Sequence, residues 1–459
     1  MVVLSNRGPL SFRRNADGAL VTRRGAGGLV STLGPAVAGR GATWLAAAIG
    51  EPDRAAAEHA RATSGGRIDA DGYAVSLLDV DEAAYKLFYE VIANRTLWFA
   101  YHGLDDLSRS PSLDRRWHEA FDAYVSVNHG FAVAAAAAAP ERATVLVHDL
   151  HLSLVGPRLA SLRPDVRIAH FSHTPFCWPD GLAVLPSVAR RTLLDGMAGH
   201  RACGFHSVRW ARAFSACAAV ELQQVPTTFV SPAAIDPHDV CDVAASPACV
   251  RHLAELNDAI GDRRLIVRVD RMELSKNILR GFAAYDLLLR EQPAWRERVV
   301  FAALCYPSRE ALPEYAAYRD AVITAAEDIN ERWGSASWAP IRLVTEDDFP
   351  RSVAALRRAD VALVNPVRDG LNVVAKELTA VNERNAVLCL SPEAGVWDEL
   401  GGNGALAAPP FDIVGQAEAL HAALEMSDDE RRIRFAALRT AALARTPTDW
   451  LADQLAAAT

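Results

Sequence analysis

Short apolar runs rich in β-branched residues recur along the chain, separated by stretches long enough for helices. In the first half they read VVLSNR from Val2, ATVLVHD from Ala143, VRIAHFSH from Val166 and TTFVS from Thr227. The second half repeats the rhythm with RRLIVRVD from Arg263, RVVFAAL from Arg298, IRLVTED from Ile341, ADVALV from Ala359 and NAVLCL from Asn385. Runs of this length bounded by polar residues predict buried strands, and strands alternating with helices predict an α/β class built on parallel sheets. Between the halves, Ser231 to Ala259 contains PAAIDPHDVCDVAASPAC, with three prolines and loop-forming aspartates. The boundary is expected there, giving domains at 1–235 and 236–445. The alanine run from Ala132 to Ala139 predicts a helix, alanine being the best helix former. Thr446 to Ala457 reads as an amphipathic helix with Trp450, Leu451 and Leu455 on its apolar side. No fixed-period repeat is visible.

Length agrees with this division, since 459 residues exceed what one core organises. Hydrophobic content of 51% with 23% charged residues suits a soluble enzyme, and no run approaches the roughly 18–20 apolar residues of a membrane span. A strand-like run directly after Met1 leaves no room for an export signal, so a cytoplasmic protein is expected. Seven cysteines without a CxxC pair predict apolar filler in a reducing compartment, not a disulfide framework. A net charge of -8 argues against a nucleic-acid surface but leaves room for phosphorylated small substrates, for which a few local arginines suffice.

The segment NPVRDGLNVVAKEL, Asn365 to Leu378, places the turn Arg368-Asp369-Gly370 between a predicted strand and a predicted helix. That arrangement suits a sugar nucleotide: helix N-terminal N–H groups face a pyrophosphate, and Glu377, about two turns further in, accepts from ribose hydroxyls. Ligands of open α/β sheets sit at the carboxyl ends of such strands. Near the start, SNRGP supplies Arg7, and GAGGL supplies Gly27 and Gly28, whose backbone can approach a phosphate closely. Two histidine-rich segments, VHDLH (His148, Asp149, His151) and HFSHTPF (His170, His173), admit metal binding as one reading and packing as another.

These strings, together with VRVDRMELSKN (Arg271, Lys276), YEVIANRTLW (Tyr89, Trp98) and Ser308-Arg309, resemble the trehalose-6-phosphate synthase family over nearly the whole chain. The strings VNER and FDIVGQAEAL are similar to its actinobacterial branch. The resemblance implies the GT-B architecture of retaining glycosyltransferases, two Rossmann-like domains facing across a cleft, with the segment 446–459 crossing back to the first domain. It implies that Arg271 and Lys276 hold the donor pyrophosphate and neutralise the leaving diphosphate. Asp369, Gly370, Leu371, Asn372 and Val373 would contact the donor sugar and diphosphate, with Glu377 on the ribose and His173 on the hexose. Gly28 belongs to the family's N-terminal substrate loop. Arg7 and Arg309 would hold the acceptor phosphate, Tyr89 and Trp98 would be acceptor-site aromatics, and Asp149 would accept from an acceptor hydroxyl. The family transfers by a front-face mechanism without a covalent nucleophile, and no metal or other cofactor is implied.

The implied reaction joins glucose from GDP-glucose or UDP-glucose to glucose 6-phosphate, giving α,α-trehalose 6-phosphate. Two departures stand out: Pro392 to Trp397 (PEAGVW) replaces the family's FAGAA, and Glu346, Asp347 and Asp348 occupy the base-flanking stretch. A carboxylate there, Asp347 foremost, can accept the adjacent N1–H and N2–H of guanine together, which predicts a preference for GDP-glucose. Related scaffolds include glucosylglycerol-phosphate synthases and pseudo-glycosyltransferases that couple cyclitols. A catalytically inert sugar-phosphate sensor is the alternative of another class. Neither a nucleic acid nor a membrane is expected as partner, and a homo-oligomer is compatible with the sequence.

Overall fold

The computed structural model describes residues 1–24, 28–105 and 112–459; Gly27 lies outside the described residues. The chain forms two compact units, one of Met1–Ala233 with Pro447–Thr459, the other of Ala234–Thr446.

The first unit contains β1 (Val2–Leu4), β2 (Leu10–Arg14), β3 (Leu20–Arg24), β4 (Thr43–Ala47), β5 (Ile68–Asp69), β6 (Ala74–Leu78), β7 (Thr144–His148), β8 (Arg167–Ser172), β9 (Ala202–Phe205) and β10 (Thr228–Val230). Eight of them form one sheet in the order β10-β9-β8-β7-β1-β4-β6-β5, parallel except for the edge pair β5/β6. β2 and β3 form a separate antiparallel hairpin. Strands β1, β4 and β7 are buried at every position, as parallel strands covered on both faces require. The order runs one way from β1 through β4 and β6 and the other way from β7 to β10. The reversal therefore falls between β1 and β7, which end at Leu4 and His148.

The second unit contains β11 (Arg264–Arg271), β12 (Val299–Tyr306), β13 (Ile341–Val344), β14 (Val361–Val364), β15 (Val387–Leu390) and β16 (Leu406–Ala407), in a parallel sheet of order β13-β12-β11-β14-β15-β16. Here the reversal lies between β11 and β14. Such reversals open a crevice at the carboxyl ends of the strands, and both are followed by segments singled out above.

The stretch expected to be a proline-rich connection is mostly helical, Pro237–Ala245 followed by Pro247–Ile260. Two of its three prolines, Pro237 and Pro247, occupy first turns, where no N–H is needed, while Asp236 and Ser246 accept the N–H groups of His238 and Cys249 as caps. Residues that read as loop formers thus start helices. The alanine run lies in helix Arg115–Ala138, capped by Asp114. Leu87–Leu97, carrying Tyr89, winds as a π-helix, a rare geometry that clusters at functional sites. The last helix, Pro447–Ala457, packs on β7 and β8, with buried Trp450 against His148 and Phe171.

Candidate active site

In the second unit the loops after β11 and β14 are stitched together. Val367 N–H donates to the Ser275 carbonyl at 2.8 Å, and the Asn277 side-chain amide donates to the Asn365 carbonyl at 3.0 Å. Buried Arg268 donates to Asp270 at 2.8 Å, to the Lys276 carbonyl at 2.9 Å and to Asn365 Oδ1 at 3.1 Å. This frame brings Lys276 Nζ to 2.6 Å from Asp369 Oδ2, which also accepts from the Asn372 amide at 3.3 Å. Burial alone would depress the Lys276 ammonium, but the carboxylates of Asp369, Asp270 and Glu273 outweigh it and raise its pKa. Lys276 is therefore a fixed cation.

Beside it, the carboxylate of Glu273, only 2% exposed, holds two arginines: Arg271 Nη1 at 2.8 Å and Arg309 Nη1 at 3.6 Å from the same oxygen. Ser308 Oγ donates to that oxygen at 3.2 Å. Arg309 sits at φ 49°, and Arg271, 46% exposed, keeps a face to solvent. Three cations thus crown the ends of β11 and β12, where phosphate groups would find charge and donors already oriented.

The acidic turn is braced by the segment that departs from the family pattern. Asp369 N–H donates to the Glu393 carbonyl at 3.2 Å, Gly395 N–H to the Asp369 carbonyl at 3.1 Å and Val396 N–H to the Leu371 carbonyl at 2.9 Å. A Cβ at Gly395 would stand 1.9 Å from the Gly370 oxygen, so only glycine fits. Gly370 and Leu371 are buried, Val373 is half-buried, and Asn372 at φ 82° accepts from Ala375 N–H to start helix Val374–Val381. Glu377 consequently lies in the first turn of that helix, not two turns in as the spacing suggested, because the left-handed Asn372 delays the helix start. Burial pushes its carboxyl up to about 7.

Past β13, two of the three acids are engaged: Glu346 meets Arg351 at 3.4 Å, and Asp348 caps helix Phe349–Arg358 and reaches His252 Nε2 at 3.1 Å. Asp347 is exposed and stands close enough to Tyr306, at the end of β12, to disfavour its ionisation after burial.

The first unit collects its polar groups at the ends of β1 and β7. Arg7 is exposed and donates to the Tyr89 hydroxyl at 3.2 Å. Tyr89 stacks between Tyr85 at 5.6 Å and His151 at 5.7 Å, and Tyr85 donates to Asn6 Oδ1 at 3.2 Å. Asp149, at φ 73°, has Oδ2 3.6 Å from His151 Nδ1 and accepts from His173 N–H at 3.3 Å. Burial would raise its pKa, yet the bond and charge of His151 and the charge of His173 hold it well below the usual carboxylate range. It stays ionised.

Arg7, Tyr89, Asp149 and His173 are thereby gathered in one unit, and Arg271, Lys276, Arg309, Asp369 and Glu377 in the other. Trp98 falls differently: it is 3% exposed and stacks on His102 at 4.1 Å, a ring of the core. Gly28 opens helix Gly28–Val37 instead of lying in a loop. His151, taken from sequence as packing or second layer, faces the Asp149 carboxylate and stacks on Tyr89. Among the described residues no group of three or more His, Cys, Asp or Glu is arranged to hold a metal ion. Sequence reasoning missed Glu273, although an acid two residues after Arg271 was a usable signal, and it missed His206, which no motif marks.

The chain matches the family model of glycosyltransferase family 20 over residues 1–459. The chain belongs to glycosyltransferase family 20. It is 33% identical over 477 residues to the trehalose-6-phosphate synthase of Mycobacterium sp. strain JLS, covering 98% of this chain and 94% of that one. It is also 33% identical over 380 residues to the bifunctional trehalose-6-phosphate synthase/phosphatase of Thermoproteus tenax, covering 80% of this chain and 51% of that one. The chain thus spans about half the length of that relative. Among solved structures, the UDP-forming α,α-trehalose-phosphate synthase of Burkholderia xenovorans in complex with glucose-6-phosphate superimposes with a TM-score of 0.85 at 26% identity, covering 100% of this chain and 99% of that one. This family 20 member is therefore a glycosyltransferase of the trehalose-6-phosphate synthase type with the GT-B fold. Among the described residues no helix is long and apolar enough to cross a membrane.

Proposed function

We propose that the enzyme transfers glucose, with retention, from a nucleoside diphosphate glucose to glucose 6-phosphate, and that it prefers GDP-glucose to UDP-glucose. The observation that carries this reading is the cluster of Lys276, Arg271 and Arg309 around Asp369 and Glu273 at the strand-order reversal of the second unit. Cleaving a sugar–diphosphate bond develops negative charge on the departing oxygen, and cations fixed beforehand stabilise that charge more in the transition state than in the ground state. Lys276 and Arg271 carry this role, so the scheme needs no metal. A donor phosphate oxygen accepts the proton of the attacking acceptor hydroxyl, which Asp149 orients. Arg7 and Arg309 take the acceptor phosphate, and Glu377 takes the ribose. Such a biosynthetic enzyme belongs in the cytoplasm. The Burkholderia relative is UDP-forming and binds glucose-6-phosphate, which supports the acceptor. The guanine preference rests instead on exposed Asp347, whose carboxylate can accept two adjacent N–H groups from guanine but only one from uracil.

The test is product analysis with GDP-glucose and UDP-glucose competing at equal concentration for glucose 6-phosphate, in the wild type and in Asp347→Ala. Trehalose 6-phosphate with an α,α linkage and preferential consumption of GDP-glucose, lost in Asp347→Ala, is expected. Equal use of both donors defeats the base assignment; absence of the disaccharide with release of nucleotide on cyclitol or glycerol acceptors defeats the acceptor assignment.

A further inference from the structure

Four consecutive strands of the first unit, β7 to β10, end in a row of hydrogen bonds between imidazoles. Ala233 N–H, just past β10, donates to His206 Nδ1 at 3.2 Å. His206 Nε2 lies 3.3 Å from His173 Nδ1, and His173 Nε2 lies 3.0 Å from His148 Nδ1. Trp450 of the last helix covers the row, its ring 6.4 Å from His206, 5.8 Å from His173 and 6.0 Å from His148, and is itself tied to the Ser231 carbonyl at 3.1 Å.

One end of this row sets every proton in it. A backbone N–H can only donate, so His206 Nδ1 must be an acceptor and its ring proton must sit on Nε2. His206 then donates to His173 Nδ1, which places the His173 proton on Nε2, which donates in turn to His148 Nδ1. The row ends at His148 Nε2, buried and without a hydrogen-bond partner among the described residues. A second proton on His173 would set Nδ1–H against His206 Nε2–H and break the row. Burial, which depresses the basicity of both His148 and His173, acts in the same direction.

We propose that His206 and His148 are positioning residues that hold His173 in a single tautomer, Nδ1 accepting and Nε2–H donating, with the ring plane fixed by both neighbours. This deepens the reading of His173 as the residue facing the donor hexose and rests on it. With both ring nitrogens engaged, a sugar hydroxyl reaches His173 only by exchange: it donates to Nδ1 in place of His206 or accepts from Nε2–H in place of His148. The tautomer thus decides which hydroxyl hydrogen-bond polarity the histidine can meet, and the tautomer is set by a backbone amide on the far side of His206.

The experiment uses the full-length chain with ¹⁵N-labelled histidine, comparing wild type, His206→Gln, His206→Asn and His206→Leu. Glutamine can accept from Ala233 N–H through its oxygen and donate to His173 through its amide, whereas leucine can do neither. Long-range ¹H–¹⁵N spectra, with His173 assigned by loss of its signals in His173→Gln, should show Nε2–H in the wild type and in His206→Gln, and a tautomer mixture in His206→Leu. In His206→Leu, kcat/KM for the donor sugar should fall about tenfold, the worth of one hydrogen bond in the transition state, while the inhibition constant of the free nucleoside diphosphate and the acceptor KM stay unchanged. His206→Gln should restore both readouts. If leucine prevents folding, His206→Asn, too short to span both partners, replaces it. An unchanged His173 tautomer in the non-donating variant overturns the proposal. So does a kinetic loss spread equally over donor, free nucleotide and acceptor, which a merely structural role would give. A wild-type protein that makes no disaccharide defeats the functional reading instead, and the spectra still decide the tautomer.

Discussion

Replacing Lys276 by methionine keeps the length of the side chain and deletes its charge. In the folded protein Lys276 Nζ stands 2.6 Å from Asp369 Oδ2, the two side chains being 14% and 17% exposed. Exposed ion pairs contribute about 0–1 kcal/mol, whereas breaking a fully buried pair costs about 3–5 kcal/mol. The Lys276 pair lies between these limits, and Asn372 still donates to Asp369 after the change. A loss of about 2 kcal/mol is therefore expected, lowering Tm by about 4–8 °C for a domain of this size. The catalytic loss is separate and larger: a fixed donor removed from developing charge costs on the order of 10²–10³ in kcat. Calorimetry and steady-state kinetics on one preparation read both. The pH dependence has a definite sign. Because the folded-state pKa of Lys276 is raised above its unfolded value, its contribution is whole below about 10.4 and is lost only as pH climbs through the raised value. The Tm difference between wild type and variant should then be flat from neutral to mildly alkaline pH and narrow above that. A lowered Tm with kcat within a few-fold of wild type would show a structural lysine and refute the assignment. Asp369→Asn and the double variant complete a cycle whose coupling energy tests the pair directly.

Arg7→Ala and Arg309→Ala should each weaken the phosphorylated acceptor by about 1.5–3 kcal/mol, read as acceptor KM and dissociation constant; a fall in donor affinity alone would show that the two sites are interchanged. Burial pushes Glu377 up to about 7, so its ionised form, the one proposed to accept from ribose hydroxyls, gains population as pH rises through that value. Donor KM should fall across the same interval, and Glu377→Gln should flatten the profile; a raised carboxyl pKa also means that the stability this group adds below about pH 4 is lost by pH 7. Gly395→Ala puts a carbon 1.9 Å from the Gly370 carbonyl oxygen, so the turn carrying Asp369 must shift. The variant should lose donor binding and about 1–3 kcal/mol of stability or more, the usual cost of overpacking, and wild-type donor affinity would refute the bracing role of this segment.

Some of this was legible without coordinates because it is local. Buried parallel strands write themselves as short β-branched runs, so β7, β8, β11, β12, β13, β14 and β15 could be read directly, and the loop that follows a strand in an α/β sheet is where ligands sit. Arg271, Lys276 and Asp369 are visible on the same ground. Other features depend on what the chain folds against. Proline and aspartate at Asp236–Pro237 favour a loop and a helix start equally, and the capping bond to His238 N–H decides for the helix. Trp98 has the same composition-level signal as Tyr89, but the π-helical winding of Leu87–Leu97 sends one ring to Arg7 and leaves the other in the core. Glu273 becomes important only because β11 and β12 lie side by side and aim Arg271 and Arg309 at one oxygen. The tautomer of His173 is still more remote from the sequence, since it is set across three strands by a single backbone donor at Ala233. Periodicity and propensity act between neighbours along the chain, and they determined the class of fold and the strand ends that carry the chemistry. Which side chains share a charge, and which nitrogen of a ring bears a proton, are properties of contacts between residues far apart in sequence, and only the tertiary structure decided them.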